Sequence, residues 1–304
     1  MTTILISSNL KYILLIFFAL KCKTLTIIIT PPCKKVGVSH IIYDMLSVVI
    51  PSYKDPLLEK TINSLLAQAQ GEIEIIAVLD GYWPETPITS DERVRVLHLG
   101  KNRGMRGAIN AGVAIARGEY LMRTDEHCAF GVGYDVILTK TCEPNWIVTP
   151  KRYFLDPVKW EVMDIPPVDH MLLKIVNVSP GIKKFSGVEA PGDDKQPIQE
   201  SMAMQGSCWV MKRSWWDKTI GELQNEGYGP HYQDSHEMVF KTWKAGGKLM
   251  VNKNTWHAHK HRDFPRTHNN GTKENPSNNA ACWAYSLNVW RSYYENEIKP
   301  KWGI

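Results

Sequence analysis

The chain has 304 residues, of which 43% are hydrophobic and 22% are charged. These values are ordinary for a globular protein and give no sign of a disordered chain. The length is sufficient for one large domain or two small ones. The formal charge of +5 favours an anionic ligand such as a nucleotide, a nucleic acid or a membrane surface, but it is too small to choose among them. The six cysteines are scattered and form no C-x-x-C pair, so neither a zinc site nor a dense disulfide framework is indicated, and we expect a mostly reduced, intracellular chain.

Residues 1–44 carry an apolar run, Tyr12 to Leu20, that is too short to span a bilayer comfortably. Three interpretations stay open: a signal or anchor segment, a buried N-terminal extension, or an upstream start that is not native. Met45 lies directly before the first clear strand and favours the third. We expect an extension over 1–44 and a cytoplasmic protein, unless the apolar segment directs it to a membrane or the secretory route.

Strand and helix patterns alternate from Leu46 onward. The predicted strands are 46–53, 72–80, 93–99 and 119–125, and the predicted helices are 55–71 and 107–118. This order predicts an α/β fold with a mostly parallel central sheet flanked by helices. In such sheets, ligands bind beyond the carboxyl ends of the strands.

The second half predicts a helix after Tyr134, a strand at 146–154, a helix at 236–247 and a strand from Lys248. Residues 155–200 are rich in proline, glycine and charge, and we interpret them as an acceptor-side insertion or mobile cover. The aromatic tail predicts a helix that packs on the sheet. We predict a single domain over 45–304, with a nucleotide-binding half (46–135), an acceptor half (136–265) and a helical tail (266–304).

A candidate metal site lies in the stretch "YLMRTDEHCAF". Strand alternation would direct Asp125 and His127 the same way and turn Glu126 to the opposite side. A carboxylate with an imidazole suits Mn²⁺ or a similar ion that also binds phosphate oxygens. The stretch "TWHAHKHR" offers His257, His259 and His261 as a third ligand, and the pattern alone does not choose among them.

A candidate nucleotide site lies at the ends of the first two strands. Pro51-Ser52-Tyr53 and Asp80-Gly81 would form a crevice in which the carboxylate accepts a hydrogen bond from a base. The segment "GKNRGMRGAINAG" places glycines, Arg103 and Arg106 before a helix, which favours phosphate binding. It is neither a Walker A loop nor a G-x-G-x-x-G turn, so kinase and dehydrogenase functions lack support.

Together, "LSVVIPSYKDPLLEKTINSLLAQ", "EIIAVLDG" and "NRGMRGAINAGVAIARGEYLMRTDEH" resemble the nucleotide-binding half of a GT-A fold glycosyltransferase of family 2 type. The spacing "DEHC" resembles the D-x-H-C form of polypeptide N-acetylgalactosaminyltransferases. "GSCWVMKRSWWD" and "QDSHEMVFKTWKAGG" resemble acceptor-side segments of the same enzymes, with Ser207 in place of a second glycine. The resemblance covers roughly residues 46–265.

The resemblance implies a metal-dependent, hexosyltransferase-like enzyme that uses a nucleotide-sugar, expected to be a UDP-sugar. It implies Mn²⁺ (or Mg²⁺) held by Asp125, His127 and His259. Asp234 would be the general base if the enzyme inverts, or would orient the acceptor if it retains; as an alternative it caps a helix. Glu237 matches the second acid of the same motif. The donor would contact six residues: Pro51, Tyr53, Asp80, Asn102, Arg106 and Arg262.

The acceptor stays open between a glycan, a small molecule, a protein and modified DNA, and no obligate protein partner is indicated. The single acid of Asp80-Gly81 and the lack of a following lectin domain argue against carrying over polypeptide glycosylation. One alternative is a viral-type enzyme acting on hydroxymethylated bases, suggested by the basic charge and by eleven tryptophans that could stack on bases. Another alternative is a non-catalytic module that binds nucleotide-sugar or carbohydrate.

Overall fold

The computed structural model describes residues 2–7, 13–18, 26–30, 43–85, 87–261 and 279–304. The chain divides into two compact units, Met1–Ile41 and Ile42–Ile304. The described part of the first unit is an antiparallel sheet of three strands in the order β1-β2-β3: β1 (Thr2–Ser7), β2 (Ile13–Phe18) and β3 (Thr26–Thr30). Within the described ranges, no helix is both long enough and apolar enough to cross a membrane.

The second unit contains the remaining strands and all described helices. The strands are β4 (Tyr43–Ser52), β5 (Ile73–Asp80), β6 (Val94–Leu99), β7 (Gly118–Thr124), β8 (Cys128–Phe130), β9 (Trp146–Asp156), β10 (Glu161–Val162), β11 (Met171–Ser179), β12 (Ile182–Glu189), β13 (Ile198–Glu200), β14 (Cys208–Lys212) and β15 (Lys248–His259). The α-helices are α1 (Leu58–Gln68), α2 (Gly104–Ile115), α3 (Tyr134–Lys140), α4 (Arg213–Trp215), α5 (Asp234–Lys244), α6 (Asn279–Tyr293) and α7 (Lys299–Trp302). Two π-helical turns, Trp216–Ile220 and Tyr294–Ile298, extend α4 and α6.

The central sheet has the order β13-β15-β9-β14-β7-β4-β5-β6, with β8 paired to β15 and β10 to β9. The pairs β4–β5, β4–β7, β5–β6 and β9–β15 are parallel, whereas β14 is antiparallel to both of its neighbours. The predicted α/β architecture with a mostly parallel sheet is therefore confirmed. It aligns the carboxyl ends of β4, β5 and β7 along one edge.

The sequence forms these elements because its apolar residues repeat with the right periods. All eight residues of β5 are buried, as expected for a strand covered on both faces. On α1, Leu58, Ile62 and Leu65 are buried on one side, at helical spacing, and pack in the core with β4 and β5. The packing of α1 on β4 and β5 fixes the edge of the sheet at which the site residues lie.

The region interpreted as a loop, residues 155–200, is largely strand. β11 and β12 form a hairpin joined at Pro180-Gly181, where Gly181 has a φ of 76°. A proline followed by a glycine with positive φ is the pattern of a type II β-turn. The expectation of an irregular loop was wrong because the proline and glycine content obscured two β-rich runs on either side of one turn; the role as an acceptor-side insertion or mobile cover stays a prediction.

The prediction that the C-terminal helix packs on the central sheet was wrong. α6 lies against β12 of the hairpin, and the Tyr294 hydroxyl donates to the Leu173 carbonyl at 2.8 Å. The Ser286 hydroxyl lies 3.2 Å from the Gln233 side-chain oxygen, which connects α6 to the start of α5. The tail is helical as predicted, but the hairpin that it covers was not foreseen.

Helices α2 and α5 begin earlier than predicted. Each therefore includes a predicted site residue, Arg106 in α2 and Asp234 in α5. α2 begins at Gly104, whose φ is 76° and where an added Cβ would lie 2.4 Å from Pro230. Only glycine fits this close approach. α5 begins at Asp234, so the carboxylate is the first helical residue and not the residue before the helix. Arg106 and Asp234 therefore lie on facing helices.

A buried ion pair connects those helices. Arg106 on α2 is fully buried and pairs with Glu237 on α5, while its Nε and Nη1 donate to backbone carbonyls at 3.0 and 2.9 Å. Lys241 Nζ lies 2.6 Å from the other Glu237 oxygen. Breaking a buried pair by removing one partner strands a charge in the interior, and this costs more than the pair contributes by itself.

We expect Glu237→Leu to lower the free energy of unfolding by about 3–5 kcal/mol, because it leaves the Arg106 guanidinium buried without its carboxylate. Denaturant unfolding measures this change. Lys299→Ala, which removes a half-exposed partner of Glu295, is the control and should cost less than about 1 kcal/mol. Equal losses in the two variants would contradict a structural role for the buried pair.

Candidate active site

Three polar side chains meet beyond the end of β7. The Asp125 Oδ2 atom lies 3.0 Å from His259 Nε2, and that nitrogen lies 3.1 Å from His127 Nε2. One potential ligand atom from each residue lies within 4.8 Å of the others. His127 and His259 are almost fully buried, whereas the Asp125 side chain is 20% exposed and opens toward solvent. The arrangement offers one carboxylate and two imidazoles to a single point.

The three residues meet because of a bend and not because of strand alternation. β7 ends at Thr124, and residues 125–127 form a bend before β8. The Asp125 amide donates to the Ser207 carbonyl at 2.9 Å, and the Lys260 amide donates to the His127 carbonyl at 3.1 Å. β8 then pairs with β15 so that Cys128 lies opposite His259. The predicted strand register over Asp125–His127 was wrong, although the two side chains do converge.

Glu126 takes a different partner from Asp125. Its Oε2 accepts a hydrogen bond from the Tyr53 amide at 3.0 Å, which connects the bend to the end of β4. Glu126 also lies with Asp55 and His127 in a second group whose potential ligand atoms are within 4.8 Å of one another. Because its carboxylate supports the backbone of residue 53, we interpret Glu126 as a residue that shapes the cleft.

Asp55 orients His127. Its Oδ2 lies 3.0 Å from His127 Nδ1, while its Oδ1 accepts from the Leu57 amide at 2.9 Å. A carboxylate only accepts, so Nδ1 carries the proton and a neutral His127 keeps its lone pair on Nε2, toward Asp125 and His259. Histidines that bind metals usually donate their other ring N–H to a carboxylate in this way.

The protonation states also suit a cation. Burial raises the pKa of Asp125, but the adjacent Arg123 guanidinium and the hydrogen bond from His259 outweigh it and hold this pKa well below its usual range. Burial lowers the pKa of His259 to about 4, so its imidazole is neutral at pH 7. Metal ligands must be deprotonated carboxylates and neutral imidazoles. The donor set therefore fits a divalent ion such as Mn²⁺.

The three histidines of "TWHAHKHR" have separate environments. His257 is fully buried on β15, and its Nε2 lies 2.9 Å from the Ser207 hydroxyl. His261 contacts Arg152 and stacks near Phe154. His259 is the one that meets Asp125 and His127. The geometry thus selects His259 from three residues that the spacing alone left equivalent.

The predicted donor residues lie at the ends of β4 and β5. Tyr53 packs edge-on against Tyr82, with ring centroids 5.9 Å apart. Asp80 is buried, and its two oxygens accept from the Asn102 side chain at 2.9 Å and the Arg103 amide at 2.6 Å. Burial raises the Asp80 pKa to about 6 against the effect of those bonds. Asp80 and Asn102 therefore brace each other, and Pro51, in β4, is half-buried and pairs with Val78 of β5.

A cavity of about 520 Å³ opens next to this edge. Its lining includes Lys54, Asp55, Tyr82, Trp83 and Glu85. Asp55 belongs both to this lining and to the hydrogen bond with His127, so the cavity adjoins the candidate metal ligands. Small-molecule sites commonly have volumes of about 300–1,000 Å³.

Two predicted site residues have other roles, and one cannot be located. The guanidinium of Arg106 is buried against Glu237, so neither side chain presents a group to a ligand. This placement argues against Arg106 as a phosphate ligand and against Glu237 as a catalytic group. Arg262 lies outside the described residues.

Asp234 is the first residue of α5. It is 7% exposed, and its Oδ2 is buried with no hydrogen-bond partner among the described residues. Its neighbour Ser235 is 3.6 Å from the position of a Cβ on Gly206, and the following residue, Ser207, accepts from the Asp125 amide. Three residues, Ser235, Gly206 and Ser207, connect Asp234 to the candidate metal ligands.

Sequence reasoning did not assign Asp55, Arg123 or Ser207 to the site. Arg123 Nη2 lies 2.5 Å from Asp125 Oδ1. The signal for Asp55 was masked because an acid followed by proline also begins a helix. Ser207 was noticed only as a departure from a glycine, and its contact with His257 depends on a strand 50 residues away.

The family model described as "Glycosyl transferase family 2" matches residues 47–154. This span contains β4 through most of β9 and includes Asp55, Asp125 and His127. This part of the chain is similar to family 2 glycosyltransferases. The match ends before His259, so the place of this residue in the site rests on the resemblance of the second half and on the structure.

Curated relatives match about a quarter of the chain. The uncharacterized glycosyltransferase EpsJ of Bacillus subtilis is 39% identical over 88 residues, which span 25% of this chain and 24% of EpsJ. Glycosyltransferase GlyG of Streptococcus pneumoniae is 35% identical over 89 residues, which span 27% of this chain and 30% of GlyG. The matched segment is thus less than a third of each relative's length.

The fold extends further than the sequence matches. A crystal structure of GalNAc-T7 with UDP, GalNAc and Mn²⁺ superposes with a TM-score of 0.62 at 17% identity. The superposition covers 84% of this chain and 50% of that one. At this identity the likeness establishes the GT-A fold, and the predicted fold class is confirmed.

We expect Asp55→Ala to weaken Mn²⁺ binding by about 10- to 100-fold, because His127 loses the carboxylate that fixes its ring and tautomer. Titration calorimetry on the full chain measures the affinity. Glu59→Ala is the control, since Glu59 also lines the cavity but hydrogen-bonds Thr89 and not a candidate ligand. Unchanged Mn²⁺ affinity in Asp55→Ala would contradict the orienting role.

Proposed function

We propose that this glycosyltransferase transfers a sugar from a UDP-sugar to a hydroxyl acceptor and depends on a divalent cation, Mn²⁺ or Mg²⁺. The observation that carries the proposal is the convergence of Asp125, His127 and His259 at the carboxyl edge of the sheet. Mixed carboxylate and imidazole ligands suit ions that also bind phosphate oxygens. The ion would supply positive charge to the leaving diphosphate.

The nucleoside would occupy the cavity beside Asp55. Tyr53, Tyr82 and Trp83 give this side flat aromatic surfaces, and Trp83 is 70% exposed while it stacks on His98 at 4.1 Å. Lys54 contributes a cation near the Tyr53 ring. A base or ribose placed here would leave its diphosphate directed toward the metal ligands on the other side of Asp55.

Asp80 and Asn102 would act on the donor mainly by fixing the shape of the crevice. The carboxylate accepts from the Asn102 side chain and the Arg103 amide, which fixes the segment before α2. This bracing keeps the α2 end of the crevice in place when the donor enters.

Asp234 would act on the acceptor. A buried carboxylate oxygen that lacks a hydrogen-bond partner in the described part of the chain is costly unless a ligand completes it. An acceptor hydroxyl would donate to that oxygen. In an inverting reaction Asp234 would remove the proton during attack, and in a retaining reaction it would hold the hydroxyl in place.

The metal-dependent function predicts unequal effects of two adjacent acids. We expect Asp125→Ala to reduce UDP-sugar hydrolysis or transfer by at least about 100-fold, because the site loses its only carboxylate ligand. Glu126→Ala should keep most of the activity, because Glu126 is not one of the three proposed metal ligands and its carboxylate instead accepts a hydrogen bond from the Tyr53 amide. Turnover is measured with Mn²⁺ and after chelation. Equal turnover in wild type and Asp125→Ala, with and without metal, would overturn the proposal.

The acceptor role of Asp234 predicts a separation of two activities. We expect Asp234→Asn to reduce transfer to an acceptor by about 100-fold while Mn²⁺ and UDP affinities stay close to wild type. Mass spectrometry over an acceptor library measures transfer, and calorimetry measures the affinities. Ser235→Ala, on the same turn of α5, is the control. Full transfer by Asp234→Asn would refute the role.

A further inference from the structure

A buried arginine lies directly behind the candidate metal ligands. Arg123 is on β7, and its side chain is 2% exposed. Its Nη2 lies 2.5 Å from Asp125 Oδ1 and 3.2 Å from Met105 Sδ. Its Nε and Nη1 atoms are buried with no partner in the described part of the chain. Asp125 is thus the carboxylate that balances this buried charge.

Packing alone does not account for an arginine at this position. Leu121, two residues earlier on the same strand, belongs to the apolar core. An apolar residue at 123 would avoid the cost of burying a guanidinium with two unsatisfied nitrogens. The arginine must therefore have an effect on Asp125 that an apolar side chain would lack.

Arg123 acts on the net charge of the three candidate ligands, Asp125, His127 and His259. His127 and His259 bring no charge as neutral ligands, so Asp125 supplies the only negative charge of the three. The Arg123 guanidinium offsets this negative charge from 2.5 Å, which is shorter than the distances between the three candidate ligands. Asp55 and Glu126 add negative charge nearby, but Asp55 is turned to His127 and the Leu57 amide and Glu126 to the Tyr53 amide, whereas Asp125 bonds the guanidinium directly.

We propose that Arg123 is a fixed counter-charge that prevents tight divalent cation binding until a nucleoside diphosphate is present. A divalent ion alone would enter a ligand set whose charge is already balanced, next to an immovable cation. A diphosphate supplies the negative charges that the ligand set lacks. This inference rests on the proposed function, since it assigns a role to Arg123 at the same metal site.

The two ligands should therefore bind cooperatively. Coupling between two ligands is reciprocal, so UDP must raise Mn²⁺ affinity by the same factor by which Mn²⁺ raises UDP affinity. For the wild-type chain we expect a factor of at least about 10. For Arg123→Met we expect Mn²⁺ alone to bind at least about 10-fold tighter than to wild type, with a smaller coupling factor, because the nearby cation is gone.

The experiment is calorimetric titration of the full 304-residue chain with Mn²⁺ alone, UDP alone, and each in the presence of the other. Arg123→Lys keeps the charge and should keep the wild-type coupling. Arg152→Met is the matched control: Arg152 is also a buried arginine, 4% exposed, but it pairs with Glu189 and not with Asp125. Arg123→Gln replaces Arg123→Met if the latter does not fold.

The possible results separate the counter-charge role of Arg123 from the metal-dependent function. Equal Mn²⁺ affinity with and without UDP in wild type would overturn the counter-charge and leave the proposed function intact. Weaker Mn²⁺ binding in Arg123→Met than in wild type would also overturn it, because Arg123 would then only position Asp125. No Mn²⁺ binding to wild type, even with UDP, would overturn the metal-dependent function and this inference together.

Discussion

The pairing of the short strand β8 with the end of β15 determines the geometry of the site. It places Cys128 opposite His259, and so it fixes His259 across from the bend that carries Asp125 and His127. His127 and His259 are 132 residues apart in the chain, and their ring nitrogens are 3.1 Å apart in the fold. A slip of one residue in this register would turn His259 to the other face of the strand and separate the three side chains.

Asp125 and His127 are each held by a second side chain, whereas His259 is held by the pairing of β15 with β8. Asp125 is bonded by Arg123 and His127 by Asp55, while His257 and Ser207 support the backbone from which Asp125 extends. Such partners orient a ligand before the ion or donor enters and so reduce the ordering that binding requires. Because most of these groups are buried, losing one partner would leave another charge or donor unsatisfied.

The elements that sequence patterns predicted well are those with a strong local period. β5, buried along its whole length, and α1, with its apolar face, were predicted within a few residues. The hairpin of β11 and β12 was missed because Pro180-Gly181 was counted toward loop composition instead of as the turn between two strands. The early starts of α2 and α5 were missed because each depends on a contact with a distant segment, such as Gly104 against Pro230.

The sequence by itself determined the α/β architecture, the acid–histidine pair at the end of β7 and the set of three histidines near the end of β15, since these follow from local periodicity and spacing. Local spacing did not decide which histidine joins Asp125 and His127; the family resemblance implied His259, and the tertiary structure brings that residue to them. It also decided that Arg106 pairs with Glu237 in the core, whereas Arg123 lies against the site. The physical reason is that a charged side chain's role depends on the partner that the fold brings within about 3 Å, and for Arg106 that partner is 131 residues away.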